Sequence, residues 1–387
     1  MLSYVGLFVA NYGYLVTDFL STAEGIAVSI LILICLFLLC SSLVLRFTSN
    51  IDERKKKELV NQITPSILAY LEEEKHRGLV EKELTSTRAI VVFESLVFDH
   101  IEILQGDEKK KLQELLTIPV LYNYRRKQLF SRKKADQVSA CLYFQYIYNH
   151  DKKITNRLWE LLESEDHVVI HGAASALMAT QEINEREVTL RRVARHKWIS
   201  SMALVELMYK FIHLDQDQMD QEIESLKRCI MDEQIPERNL AVIVEAVVDM
   251  GYVPLVDFLY EFYLSNDRED PDGELTGALI LTLGVFQYLI KSDSIVTDKV
   301  NSELPKIRRA CAIYFGETND PKFIPSLIQL GKDEAFEVKI EAIYALLKLG
   351  QPGIEAIDNL IYQEQKFNYS ATDFTAMLDT YRIRMIK

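Results

Sequence analysis

The stretch EVKIEAIYALLKLG, residues 337–350, places apolar side chains at helical spacing and stops on glycine, and it recurs. Laid over SEDHVVIHGAASAL (164–177), it puts Val169 on Val338, Ala173 on Ala342, Ala176 on Ala345 and Leu177 on Leu346. That is one apolar face of a helix, with small residues where a neighbouring helix must come close. RNLAVIVEAVVDMG, TGALILTLG and RRACAIYFG end on Gly251, Gly284 and Gly316, so with Gly350 the terminal glycines stand 33, 32 and 34 residues apart. A second helical segment separates each of these from the next: RLWELLESED, VPLVDFLYEFYL and KFIPSLIQLG, with Pro254 and Pro325 early enough that the missing N–H costs nothing. Helix pairs of this length cannot bury their apolar faces alone and must stack on one another.

The L-x-x-L-x-x-D-x-x-x-V-[RK]-x-x-A-x-x-A-L pattern over 327–346 resembles the HEAT repeat of the short bacterial type shared with phycobilin lyases, an armadillo-like architecture. QVSACLYFQYIY and WISSMALVELMYKF fall in phase as degenerate copies. The resemblance covers about 85–365 and implies an α-solenoid that binds proteins. For membrane-anchored members it implies an accessory subunit of a bacterial envelope or polysaccharide-synthesis assembly.

GIAVSILILICLFLLCSSLVL, residues 25–45, carries no charge. As a helix, 26–45 spans about 30 Å, a bilayer's hydrocarbon thickness. Its Leu, Ile, Val and Phe residues favour insertion by about 4–8 kcal/mol. Residues 1–24 contain no Lys or Arg, which argues against a secretory signal peptide. Arg46, Arg54, Lys55, Lys56 and Lys57 follow the span, so the positive-inside bias puts the C-terminal part in the cytoplasm and the N-terminus outside. The expected order is an extracytoplasmic or interfacial arm (1–24), a single transmembrane helix (25–46), juxtamembrane helices (47–84) broken near Pro65 and closed at Gly78, an all-α HEAT-like solenoid (85–365) and a C-terminal cap (366–387).

A net charge of −13 argues against a general nucleic-acid binder. Five cysteines without a C-x-x-C fit a reducing compartment and structural roles. His167 and His171 share a helix face, but no third ligand follows, so interhelical packing explains them better than metal. NDREDPDGELTG fails as a calcium loop, since Arg268 and Leu279 fall where acidic ligands belong, and reads as an acidic turn. No phosphate-binding, hydrolase or dinucleotide motif occurs, and the sequence names no catalytic residue, cofactor or metal.

The exception to the acidic background is LYNYRRKQLFSRKKADQ. Arg125, Arg126, Lys127, Arg132, Lys133 and Lys134 are interleaved with Tyr122, Tyr124 and Phe130, a composition suited to an acidic protein partner, anionic lipid heads or a single-stranded nucleic acid. A solvated connection between repeats has the same composition. In the adjoining CLYFQYIY, the spacing turns Leu142, Tyr146 and Cys141 inward and leaves Tyr143 or Tyr148 to project. A second cluster, Arg191, Arg192, Arg195, His196 and Lys197, reads as an exposed helix face. The sequence therefore points to a membrane-tethered, non-enzymatic scaffold or adaptor for membrane-associated protein partners. A HEAT-like enzyme of lyase or glycosylase type and an anionic-lipid sensor acting through 125–134 stand as alternatives.

Overall fold

The computed structural model describes residues 23–104, 106–147, 151–180, 182–212, 219–288 and 294–366. Expectations for residues 1–22, for Tyr148 and for the cap over 367–387 lie outside them. The described residues form helices and no strand, and the chain divides into two compact units, Met1–Asn123 and Tyr124–Lys387.

In the first unit α1 (Ala23–Glu72) runs without interruption through Pro65. The expected break there does not occur. Proline removes one intrahelical hydrogen bond, while burial of Ile63, Ile67 and Tyr70 on both sides of it holds the helix in place. Nor does Gly78 close a helix; it is the second residue of α2 (Arg77–Glu83). α3 (Thr87–Ile101) starts at Ser86, whose side chain accepts from the Ala89 N–H at 3.1 Å. Together with α4 (Gly106–Leu116) these helices bury Val80, Phe93, Val97, Leu112 and Leu115. Farther up α1, Ile30, Leu31, Leu33, Ile34, Leu36, Phe37, Leu38 and Leu39 are all about half exposed or more. Among the described residues no helix is long and apolar enough to cross a membrane; the side chains at 23–29, 32 and 43–45 of the expected span are not among those described.

The second unit is a stack of helix pairs. After α5 (Pro119–Leu129) and α6 (Lys134–Phe144), the first helices are α7 (Lys152–Leu161), α9 (Ile183–Ala194), α11 (Met219–Ile230) and α13 (Val256–Ser265). A short α15 (Ser294–Thr297) and α17 (Ile324–Leu330) complete that series. The second helices are α6, α8 (His167–Leu177), α10 (Ser201–Phe211), α12 (Glu237–Asp249), α14 (Glu274–Val285), α16 (Pro305–Thr318) and α18 (Phe336–Lys348), and α19 (Gln351–Lys366) packs on the last. Second helices lie side by side, most extensively from α12 to α18, and first helices cover them. The aligned positions Val169, Ala173, Ala176 and Leu177, like Val338, Ala342, Ala345 and Leu346, are all buried.

The periodic glycines split into two kinds. Gly251 and Gly350 are left-handed, with φ of 63° and 68°, and stand just past their helices. Gly284 and Gly316 lie inside α14 and α16. A Cβ at Gly316 would sit 2.7 Å from the Ala345 Cβ, and one at Gly284 2.7 Å from the Tyr314 Cα, so their work is to let the next second helix approach. The residue equivalent to Gly251 is Gln287, with φ 52°: the N–H of the following residue bonds back to the same carbonyl position, Tyr252 to Val247 at 2.9 Å and Tyr288 to Leu283 at 2.8 Å. Asn319, also at φ 52°, ends α16.

Polar contacts pin neighbouring pairs. Arg186 and Glu222 are fully buried with 3.6 Å between them, and Arg186 Nη1 donates to the Phe211 carbonyl at 2.6 Å. Burial pulls the Arg186 guanidinium below its ordinary pKa and Glu222 works against that. Arg191 and Arg195, expected on an exposed face, both hold the buried Asp232, at 2.8 and 2.6 Å. Burial alone would raise the Asp232 pKa, but the two guanidinium groups and the Gln234 N–H outweigh it and hold the carboxyl below the usual range. Cys141, Cys229 and Cys311 are buried thiols pushed up to about 12 by desolvation, which makes them inert.

Two outcomes follow from this packing. Gly316→Ala should lower the thermal midpoint, at about 1–3 kcal/mol for the overpacked contact, whereas Gln287→Gly should raise it by relieving up to about 1 kcal/mol of left-handed strain; a thermal melt of each variant reads both. The stability Asp232 contributes is fully present above the ordinary aspartate pKa near about 4 and disappears as pH falls through its lower folded value. Asp232→Asn should therefore reduce the midpoint at neutral pH and flatten its decline below about pH 4.

Candidate functional site

Of the candidates in the sequence-predicted segment only Arg125 is buried; Tyr122, Tyr124 and Arg126 are partly covered and the others are exposed. Tyr122 is half-buried. Arg125 is 7% exposed, stacks over the Tyr124 ring at 5.3 Å and donates to Gln128 Oε1 at 2.5 Å. Lys134 pairs with Asp166 at 3.0 Å, and the Arg157 guanidinium lies 5.9 Å from the half-exposed Phe130 ring. Lys127, Arg132 and Lys133 are exposed, and Arg126 partly so. The reading of α6 needs correction. Tyr143 is fully buried, edge-on to Phe144 with 5.0 Å between ring centroids, while Leu142 is 48% exposed. The buried face runs Gln137, Ala140, Cys141, Phe144, Ile147, one step away from the register assumed, because a helix apolar on nearly every side has no pattern to fix it. His171 meets Glu206 on α10 at 3.2 Å, the interhelical role expected of it, and among the described residues no His, Cys, Asp and Glu cluster suits a metal.

A better-formed feature lies on the second helices. Three of them present side chains at the same helical spacing: Arg238, Val242 and Glu245 on α12; Glu274, Gly277, Ala278 and Leu281 on α14; Lys306, Arg309, Ala310 and Ile313 on α16. At the middle of that spacing α14 carries Gly277 and Ala278, α12 Val242 and α16 Arg309 and Ala310, and the three helices enclose a recess of about 360 Å³. A Cβ at Gly277 would meet the Lys306 carbonyl oxygen only at an ordinary 3.5 Å, so the approach of α16 does not require glycine there. At one end Gly273 turns at φ 67° into α14, and Asp270 steadies the turn by accepting from the Thr276 N–H at 2.8 Å. The acidic loop thus serves as a cap, not a calcium site.

The charges in the recess are unequally satisfied. Lys306 pairs with Glu274 at 2.6 Å and Arg309 with Glu341 on α18 at 2.8 Å. Arg238 and Glu245 have no ion pair among the described residues. Although Glu245 is exposed as a residue, the walls crowd its carboxyl. That desolvation, with the negative charges of Asp249 and Glu274 and against the pull of Arg309 and Lys306, lifts its pKa above the ordinary glutamate value. Beside the recess Ser201 opens α10, and Trp198 and Met202 stand 78% and 79% exposed. A mixed-charge hollow next to an exposed tryptophan and methionine is suited to binding a side chain of a partner, since such residues dominate protein contact energies. The sequence signal was available in Gly277-Ala278 at the positions where the adjacent repeats carry Val242 and Arg309.

A carboxyl whose folded pKa is raised favours the fold below its unfolded pKa and loses that contribution as pH rises through the folded value. Glu245→Gln should therefore raise the thermal midpoint at pH 7–8 relative to the parent, with the gain vanishing toward about pH 4; midpoints measured across that range check it.

No protein-family model matches the chain, and no curated protein matches it. Among solved structures it is similar to an engineered protein whose crystal structure was a Northeast Structural Genomics Consortium target, at 15% identity over 66% of this chain and 94% of that chain, with a TM-score of 0.21. A likeness that loose carries no argument about fold or function.

Proposed function

We propose that this protein is a membrane-tethered scaffold or adaptor in which a HEAT-like α-solenoid, held in the cytoplasm by the apolar part of α1, binds membrane-associated protein partners. The observation that carries this reading is the outward face of the second helices, where a preformed recess is lined by α12, α14 and α16 and by Ser201, whose sequence neighbours Trp198 and Met202 are exposed. Two large apolar side chains about four-fifths exposed within five residues make a small apolar patch, the kind of surface that protein contacts use. The tether is supported by Ile30, Leu31, Leu33, Ile34, Leu36, Phe37, Leu38 and Leu39 of α1, all about half exposed or more, and by the basic residues that follow them. A helix apolar all round is at home in lipid and not in water. The exposed Lys127, Arg132 and Lys133, with Phe130, support a second contact to anionic headgroups, at up to about 1 kcal/mol per basic residue. The resemblance noted in the sequence extends the reading to an accessory subunit of a bacterial envelope or polysaccharide-synthesis assembly, acting by position and not by catalysis.

Crosslinking in intact cells, purification in mild detergent and mass spectrometry test this. The expected result is one membrane protein recovered in stoichiometric amount, from membranes that retain the chain after an alkaline wash. Recovery of the chain alone, with crosslinking verified on a known complex, or its release by the wash, would overturn the reading.

A further inference from the structure

We infer that one edge of the second unit lies on the bilayer: the turns between α5 and α6, α7 and α8, and α9 and α10 present Phe130, Arg132, Lys133, Lys197 and Trp198 to the headgroups of an anionic membrane. The inference rests on the scaffold reading and deepens its lipid contact, leaving the outward face of the second helices to the protein partner.

The stacking sets these turns side by side. Lys134 before α6 pairs with Asp166 before α8 at 3.0 Å, and Glu163 in that second turn pairs with Arg192 near the end of α9 at 3.7 Å. Arg195, just past α9, holds Asp232, just past α11, at 2.6 Å. Arg268, between α13 and α14, donates to the Ile235 carbonyl at 3.1 Å. Each turn is thus tied to the next, and together they make one edge of the array.

The same ties decide which charges are left over. Lys134, Arg192 and Arg195 are neutralised by their partners. Arg132, Lys133 and Lys197 are exposed and, among the described residues, have no ion pair; on these turns only the exposed Glu165 opposes them. Between the cations stand Phe130, Val168 and Trp198, which are 50%, 61% and 78% exposed. Phe130 and Trp198 sit two repeats apart along the edge, so one small hollow cannot take both, whereas a plane can. Aromatic rings at the headgroup boundary with Lys and Arg on the phosphates are how interfacial segments seat on a bilayer.

The edge also has an end. The next turn exposes Glu233, and the one after it Asp267, Glu269 and Asp272, which anionic headgroups repel. The array therefore meets the membrane through its first three turns, and the later repeats stand clear of it.

The chain has two tryptophans, which makes the contact directly readable. Trp159→Phe keeps a ring beneath the Arg192 guanidinium, 4.9 Å from the Trp159 ring in the parent, and leaves Trp198 alone to report. The full-length chain with that substitution is reconstituted in nanodiscs of phosphatidylcholine with about a third phosphatidylglycerol, with bromine on the lipid acyl chains. Trp198 fluorescence is expected to be quenched by the brominated lipid and shielded from acrylamide. Arg132→Glu, Lys133→Glu and Lys197→Glu together should cut the docked-to-free ratio about tenfold or more, the equivalent of about 1.4 kcal/mol, and salt at about 0.5 M should lower it too. Because these cations are exposed and pair with no described carboxylate, the triple variant should keep a thermal midpoint near the parent's, which separates lost docking from lost folding. Equal quenching in pure phosphatidylcholine discs, or in the triple variant, overturns the inference. If the chain enters the discs and Trp198 stays open to acrylamide, the membrane edge falls while the scaffold reading stands. If Trp198 is open in discs but shielded in native membranes, it touches a protein and the inference falls likewise. If the chain does not enter the discs at all, both readings fall.

Discussion

The second unit depends on the closeness with which consecutive second helices lie against each other. Where they touch, the side chains are small or missing. Gly172 faces Cys141, with 3.1 Å from a would-be Cβ to the Cys141 Cβ, and Gly284 and Gly316 press on the backbones of Tyr314 and Ala345. With no side chain between them, the backbones come near enough for the flanking Leu, Ile and Phe residues to interdigitate as one continuous core. The same closeness brings charged residues on neighbouring helices into pairing range. Lys306 reaches Glu274, Arg309 reaches Glu341, and Lys348 reaches Glu317. The ion pairs on that face are thus a consequence of packing, and being exposed each contributes little on its own.

The recess comes from the same rule applied once too often. On most second helices the small residues face the neighbour and longer ones face outward. On α14, Gly277 and Ala278 stand where α12 shows Val242 and α16 shows Arg309 and Ala310. A helix that is glycine and alanine on its outer face gives up burial energy and helix propensity, by about 1 kcal/mol for the glycine alone. Nothing in the contact with α16 requires it to be that low, since a Cβ at Gly277 would meet only ordinary van der Waals contact. The hollow therefore has no packing explanation.

Much of the architecture could be read from one chain. The coincidence of Val169 with Val338 and of Ala176 with Ala345 gave the stacked faces, because burial of one stripe per helix leaves a periodic trace. The glycine period misled for a physical reason: glycine serves both left-handed caps and tight helix contacts, and spacing alone cannot tell Gly251 from Gly284. The actual cap, Gln287, carries no sequence mark at all. Tyr143 and Leu142 exchanged places because α6 is apolar on too many sides for its register to be fixed. The pairing of Arg191 and Arg195 with Asp232 spans about forty residues and a helix boundary, so the arginines read as a free cationic face until the fold brought the aspartate to them. Arg125 failed as a surface ligand likewise, once α5 turned it inward.

A shallow recess with one unpaired arginine makes a weak site in solution, and on the proposed reading weakness is what the tether permits. Confinement of array and partner to one bilayer raises each one's effective concentration to the order of 1 mM. A site with a dissociation constant of about 100 μM would then be roughly nine-tenths filled, although that corresponds to only about 5.5 kcal/mol. One charge-assisted contact and one buried apolar residue contribute about 3–6 kcal/mol before the cost of association, so such a site needs further contacts to reach that. Freed from the membrane, the same pair would part at any ordinary cellular concentration. On that reading the apolar helix of α1 provides concentration, and the outward face of the second helices need provide only selection.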